Sequence, residues 1–86
     1  MKYELTDMKR RFQNKVLYRV RATEDLPNNV KKGTLGGWVE DDTILSQDGN
    51  CWITEDVIAC HGSDHQCRIE GDILIKDHSI IYGSEI

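Results

Sequence analysis

The sequence predicts an all-β protein, a short parallel β-helix of about two to three coils with an N-terminal β-hairpin as its cap. Isoleucine recurs at every sixth position near the C-terminus, at Ile69, Ile75 and Ile81. A glycine or aspartate follows each isoleucine two positions later, at Gly71, Asp77 and Gly83. A six-residue repeat of this kind is typical of hexapeptide β-helices, and the alternating segment 15–22 ahead of it is typical of a strand.

Length and composition indicate one small globular domain. The chain has 86 residues, of which 38% are hydrophobic and 30% charged. A chain of this size is near the lower limit for a self-sufficient core, so we expect it to associate with itself. No apolar run approaches the roughly 18 residues of a membrane span, and the charged start MKYELTDMKRR is unlike a signal peptide. We therefore expect a cytoplasmic protein that does not contact a membrane.

Residues 1–37 predict a β-hairpin and a connector that together form the cap. KVLYRVRA, residues 15–22, alternates Val16, Tyr18, Val20 and Ala22 with Leu17, Arg19 and Arg21, which is the period of a half-buried strand. Phe12 and the segment Gln13-Asn14-Lys15 suggest a preceding strand and turn. Pro27 and the two asparagines after it end the strand, and residues 28–37 form a loop.

Residues 38–86 predict the coils. Seven aliphatic positions are expected to point inward: Val39, Leu45, Ile53, Ala59, Ile69, Ile75 and Ile81. Extra residues interrupt the sixfold spacing before Ile53 and between Ala59 and Ile69, so the register over 60–68 stays open. A small sandwich or barrel of short strands is the alternative architecture.

Three segments carry a resemblance to a known family. LYRVRATEDL (17–26), KKGTLGGWVE (31–40) and LSQDGNCWI (45–53) resemble a family of poorly characterised bacterial and phage proteins. The resemblance covers residues 3–86 and implies hexapeptide-type coils of left-handed sense, but no activity. This chain departs from the family pattern by its short array and at three positions where relatives often carry alanine, namely Ile73, Ser79 and Glu85.

Apolar residues also precede the inward positions, and strand alternation sends them outward. An outer apolar wall usually marks an interface, so we expect a homodimer or homotrimer. The expected binding or subunit-contact residues are Trp38, Trp52, Ile58, Leu74, Ile80 and Ile86.

Charge is divided along the chain. Residues 1–32 hold nine Lys and Arg against four Asp and Glu, whereas residues 33–86 hold two against eleven. The expected basic patch is Lys9, Arg10, Arg11, Arg19 and Arg21. The expected acidic partner surface is Glu40, Asp41, Asp42, Glu55, Asp56, Glu70 and Asp72. We do not expect nucleic-acid binding, because the chain is acidic overall and its basic stretch is short.

No pattern in the chain points firmly to catalysis or to a bound metal. Four possible ligands, Cys60, His61, His65 and Cys67, fall within eight residues, but this spacing does not match the separated pairs of structural zinc sites. We expect no cofactor and no bound metal. Whether these four side chains bind a metal ion stays open at this point.

The sequence favours a non-enzymatic binding protein of phage or mobile-element origin. It would act in the host cytoplasm as an oligomeric inhibitor of a host defence or nucleic-acid enzyme. The alternatives are a binder of a nucleotide-like small ligand between subunits, and a minimal hexapeptide-type acyltransferase. The last would need a histidine base, for which His61, His65 and His78 are available.

Overall fold

The chain begins with a β-hairpin. In the computed structural model, which describes residues 1–84, strands β1 (Tyr3–Phe12) and β2 (Lys15–Ala22) pair antiparallel. Gln13 adopts a positive φ of 55° in the turn between them, which a short polar hairpin loop tolerates. The pairing is irregular between Leu5 and Lys9, where the register shifts.

The rest of the chain contributes five short strands, β3 (Leu35–Val39), β4 (Trp52–Ile53), β5 (Ile58–Cys60), β6 (Leu74–Ile75) and β7 (Ile80–Tyr82). Five of the seven strands form one sheet in the order β1-β2-β3-β5-β7, and β4 and β6 form a second sheet. β2 and β3 pair antiparallel, whereas β3 with β5, β5 with β7, and β4 with β6 pair parallel. No helix within residues 1–84 is long and apolar enough to cross a bilayer.

The predicted left-handed parallel β-helix with an N-terminal hairpin cap is therefore wrong. The structure is a mixed sheet of five strands beside a small parallel sheet, and residues 1–84 do not form a closed solenoid. The hairpin does not sit on the array as a cap, because β2 bonds directly to β3 and continues the same sheet. Sixfold spacing reports which side chains are buried, but it does not report which strands share a sheet or in what direction they run.

Residues of the sixfold pattern do meet across the parallel strands. Val39 lies opposite Ala59, Ala59 opposite Ile81, and Ile53 opposite Ile75. An isolated parallel bridge also joins Leu45 and Ile69. Turn residues before and after the last strands have left-handed backbones, with φ of 85° at Gly71, 69° at Asp77 and 65° at Gly83. Glycine and aspartate occupy these turns because they tolerate such a conformation.

Two groups of apolar side chains hold the molecule together. The larger includes Val39, Leu45, Ile53 and Ile69 among its fully buried residues. A smaller group lies around Leu17, with Ile58 and Cys60 buried beside it and Phe12 and Trp38 partly buried against it. KVLYRVRA thus packs on both faces rather than one, since Val20 belongs to the first group and Leu17 to the second.

The N-terminus is tied to the loop after Leu45. The Tyr3 hydroxyl donates to the backbone oxygen of Leu45, and burial raises the pKa of this phenol. The Lys2 ammonium is buried and donates to the backbone oxygen of Cys51 at 2.8 Å. These polar bonds fix β1 against the core, so the hairpin is an integral part of the fold.

Candidate functional site

A groove of about 440 Å³ opens where the hairpin and the parallel strands share the large sheet. Its lining combines two arginines, a tryptophan, two acids, a histidine and two isoleucines: Arg10, Arg19, Trp38, Glu55, Asp56, Ile58, His78 and Ile80. Such a mixture of apolar wall and convergent charged groups is typical of ligand sites.

The sheet register explains why these residues meet. Arg19 lies opposite Trp38, Trp38 opposite Ile58, and Ile58 opposite Ile80. The four residues form one row across β2, β3, β5 and β7, so their side chains lie on the same face of the sheet. Arg10, on β1, reaches this row from the edge strand.

The basic end of the groove is built on Trp38. The guanidinium carbon of Arg19 lies 4.4 Å from the centre of the indole ring, and that of Arg10 lies 5.9 Å away. Both distances fall in the range of cation–π contacts. Arg19 also donates to the backbone oxygen of Glu55 at 3.3 Å, while its buried Nε has no acceptor within residues 1–84. The two guanidinium groups are therefore positioned by packing and keep donors available for an anion.

His78 and Asp56 stand at the other end. Nε2 of His78 lies 3.8 Å from Oδ2 of Asp56, which is ion-pair range but longer than a hydrogen bond. His78 has a φ of 58° and its side chain is 85% exposed. An exposed imidazole beside a carboxylate and an apolar wall is a candidate for proton transfer.

His61 is held in a different way. Its Nδ1 accepts the Cys67 backbone N–H at 2.9 Å, so Nε2 carries the proton that points to Asp41 Oδ2 at 3.0 Å. Both ring nitrogens are thus occupied by bonds that fix the loop 61–67. His65 is exposed on the same loop and does not line the groove. Of the three histidines, His78 is the one placed for chemistry.

The residues of the predicted acidic surface make different contacts. Glu40 accepts bonds from Lys15 and from the His61 backbone N–H. Burial works against ionisation of Asp41, but hydrogen bonds from the Thr43 side chain and backbone and from His61 outweigh it and lower the pKa of Asp41. Glu55 and Asp56 line the groove. The remaining predicted acids are exposed: Asp42, Glu70 and Asp72.

The predicted basic patch is also divided. Arg10 and Arg19 belong to the groove, Lys9 lies 5.9 Å from the centre of the Tyr18 ring, and Arg21 pairs with Glu4. Arg11 is exposed on β1. Binding of a partner by these five cations stays a prediction.

The possible metal ligands of loop 60–67 do not converge. Within residues 1–84, no group of three or more His, Cys, Asp or Glu side chains is arranged to hold a metal ion. Cys60 and Cys67 are buried, and burial raises the pKa of both thiols. Thiols in such surroundings stay protonated and pack as small apolar groups.

Most of the predicted interface residues are covered by the chain itself. Trp52 and Ile58 are buried in the two apolar groups, because the sheet and the loops cover the wall that the sequence placed outside. Trp38 and Leu74 are partly buried, and Ile80 is exposed. Ile86 lies outside the described residues. Contact with a second subunit stays a prediction, and Ile80 is the member of this set best placed to make it.

The residues of the groove were each visible in the sequence, but their combination was missed. The sequence predicts His78 as one of three candidate bases and Asp56 as part of an acidic surface. Asp56 and His78 are 22 residues apart, the same interval that separates the paired Ile58 and Ile80. Applying the interval of the parallel strands to polar residues would have brought the two side chains together.

Other concave surfaces lack this combination. A groove of similar volume beside β1 is lined by residues 4–8 and Arg21, and contains no histidine. A smaller one of about 320 Å³ lies near Trp52 and Leu74 and likewise contains no histidine or cation. The groove with His78 is therefore the best candidate for chemistry among those of residues 1–84.

Comparison with known proteins gives one informative relative. No protein-family model matches the chain. The chain is 35% identical over 91 residues to an uncharacterized acetyltransferase, YdcK, of Escherichia coli strain K12. The match covers 95% of this chain but 26% of the relative, so the chain spans about a quarter of the length of the curated protein it matches.

This similarity corrects the expectation that the chain is not an enzyme, because the relative is named as an acetyltransferase. Among the functions that the sequence suggested, it supports the acyltransferase alternative. The phage origin, the inhibitory role and a host-protein partner stay predictions that no finding tests.

Proposed function

We propose that the chain takes part in acyl transfer, moving an acetyl group from acetyl-coenzyme A to an amine or hydroxyl acceptor at the groove. The observation that carries the proposal is the similarity to a protein named as an acetyltransferase over 95% of the chain. The groove supports it, since it combines a histidine and carboxylate pair with an apolar wall and two arginines.

Each end of the groove suits one part of the reaction. Arg10 and Arg19 would bind phosphate groups of the coenzyme through charge-assisted hydrogen bonds. Ile58 and Ile80 would contact the apolar part of the donor near the thioester. His78 would then lie beside the acceptor, with Asp56 orienting its ring.

The chemistry asked of His78 is general base catalysis. A hydrogen bond from Nε2–H to Asp56, for which the 3.8 Å separation would have to shorten when substrate binds, would leave the Nδ1 lone pair free to accept a proton from the acceptor amine or hydroxyl. The freed nucleophile attacks the thioester carbonyl carbon, the carbon–sulfur bond breaks, and the coenzyme leaves as a thiolate. The imidazolium returns its proton to that thiolate, so the histidine is neutral again at the end of the cycle.

The test measures consumption of acetyl-coenzyme A by mass spectrometry in the presence of a panel of primary amines and alcohols. His78→Asn is expected to lower the rate by about 10²- to 10⁴-fold, the usual contribution of general acid–base catalysis. His65→Asn is the matched control, because His65 is exposed outside the groove. Its rate should stay within about twofold of the wild-type rate, as expected for a surface change far from the chemistry.

Binding is measured separately by calorimetry with acetyl-coenzyme A. Arg10→Ala is expected to weaken binding by about tenfold, the equivalent of one charge-assisted hydrogen bond. The proposal fails if the wild-type chain neither binds nor consumes acetyl-coenzyme A. It also fails if His65→Asn and His78→Asn lose activity equally.

A further inference from the structure

A lysine and a cysteine meet in the interior, where the N-terminus contacts the loop after Leu45. Lys2 is 3% exposed and Cys51 is fully buried, and Nζ of Lys2 lies 3.3 Å from Sγ of Cys51. The two residues are 49 positions apart in the sequence, so the fold creates this contact. Neither residue lines the groove with His78, and the proposed acyl transfer does not use them.

The amine of Lys2 is buried without a counter-ion. Nζ also donates to the backbone oxygens of Cys51 at 2.8 Å and of Gly49 at 3.4 Å, but within residues 1–84 no carboxylate lies in ion-pair range of it. A buried charge without a counter-ion is costly. Attachment of the N-terminus does not require it, because the Lys2 backbone N–H and the Tyr3 hydroxyl already bind the same loop, at Gln47 and at the backbone of Leu45.

The thiol of Cys51 is oriented toward this amine. Its Sγ lies 3.7 Å from the backbone oxygen of Ser46 and 3.6 Å from that of Ile69, so the S–H proton points to a carbonyl group and a sulfur lone pair faces Nζ. Cys60 and Cys67 are buried as well, but within residues 1–84 neither thiol is hydrogen-bonded to a side-chain amine. Cys51 is therefore the thiol with a nucleophile in contact.

An exposed bend lies directly before Cys51 in the chain. Residues 48–50 are all exposed, and Gly49 has a φ of 73°. A surface groove of about 380 Å³ is lined by Ser46, Asp48 and Gly49 of the same segment. Exposed bends open locally at a lower free energy than core strands do, so a small uncharged oxidant reaches Sγ when this bend opens.

We propose that Lys2 and Cys51 form a redox modification site, at which hydrogen peroxide joins Nζ to Sγ by a sulfur–nitrogen bond. In the first step the thiol attacks peroxide, the O–O bond breaks, and Cys51 becomes a sulfenic acid with release of one water. In the second step the deprotonated amine of Lys2 attacks the sulfenic sulfur, the S–O bond breaks, and the departing hydroxide takes a proton from the nitrogen to form a second water. Sulfur loses two electrons, one peroxide is reduced to two waters, and the protein loses two hydrogen atoms.

The bond would act as a reversible lock on the hairpin. It joins residues 49 positions apart and so restricts the unfolded chain as a disulfide does, which stabilises the fold. Lys2 directly precedes β1, the strand that carries Arg10 of the groove. A dithiol reverses the reaction, because one of its thiols attacks Sγ and releases the amine, and the other then releases the Cys51 thiol as the reductant closes to a disulfide.

The test treats the folded full chain with hydrogen peroxide and follows it by intact mass and by peptide mapping without reductant. The wild-type chain should lose the mass of two hydrogen atoms, give a linked peptide containing Lys2 and Cys51, show a higher urea midpoint, and recover its mass and midpoint in dithiothreitol. Lys2→Arg should abolish the linked peptide, because the guanidinium keeps the charge but is not a nucleophile. Lys15→Arg is the matched control, since it makes the same change at a lysine of the same hairpin that pairs with Glu40, and it should leave the linked peptide in place.

Four outcomes would overturn the proposal. These are oxygen adducts on Cys51 without a link, a linked product that retains an oxygen atom between Nζ and Sγ, a link that persists in Lys2→Arg, or a free Cys51 thiol after the exposed Met8 has been oxidised. Circular dichroism verifies that each variant is folded, and mapping of the wild-type chain identifies the linked pair even where a variant fails to fold. Because no readout involves acetyl-coenzyme A, the result does not depend on the proposed acyl transfer.

Discussion

Replacing Ile58 by alanine is expected to destabilise the chain far more than replacing Ile80, although the two residues are paired on adjacent strands. Ile58 is 5% exposed and packs in the group around Leu17. Loss of three carbons removes about 2.4 kcal/mol of transfer free energy, and the cavity left behind raises the cost to about 3 kcal/mol.

Ile80 is 57% exposed, so less than half of the same transfer term applies and no closed cavity forms. We expect Ile80→Ala to cost about 1 kcal/mol. The difference of about 2 kcal/mol between the variants corresponds to about 8–16 °C in Tm for a domain of this size.

Urea denaturation followed by circular dichroism measures both free energies of unfolding, at protein concentrations where the wild-type chain is monomeric. Equal losses for the two variants would refute the assignment of an inner, covered layer and an outer, uncovered one.

Three further changes test other parts of the structure. Gly37→Ala should cost at least about 2 kcal/mol in urea denaturation, because an added Cβ would lie 2.5 Å from the backbone oxygen of Val57. Asp41→Asn should reduce the loss of stability in acid: a carboxyl whose pKa is lowered by folding stabilises the protein above its unfolded pKa, and this stabilisation is lost as pH falls through the folded value. Cys67, buried with a raised pKa, should react with a thiol reagent at neutral pH only at the rate of unfolding or local opening.

Local features of the fold could be predicted from the sequence. Alternation in KVLYRVRA predicts a strand, and β2 covers Lys15–Ala22. Glycine and aspartate two residues after each isoleucine predict turns, and Gly71, Asp77 and Gly83 all have positive φ. These features depend on the steric properties of single residues, and those properties follow from the identity of each residue.

The architecture could not be predicted in the same way. The decisive contact is the antiparallel pairing of β2 with β3, which places Arg19 beside Trp38. No spacing in the chain encodes it, because the connecting residues 23–34 have no periodic pattern and a hairpin can dock in several ways on a set of parallel strands. The prediction of a hairpin cap does not specify which strand the hairpin pairs with, so it leaves open where the cations lie relative to the apolar wall.

Continuity of the large sheet also brings together the residues of the candidate site, which lie far apart in the sequence. From the sequence alone, Trp38, Ile58 and Ile80 are predicted to contact a partner or a second subunit. In the mixed sheet, β1 and β2 bring Arg10 and Arg19 onto that wall, and the turn before β7 brings His78 to Asp56. Under the proposed function, the arginines would bind an anion, the isoleucines would contact the apolar part of an acyl thioester, and His78 would accept a proton.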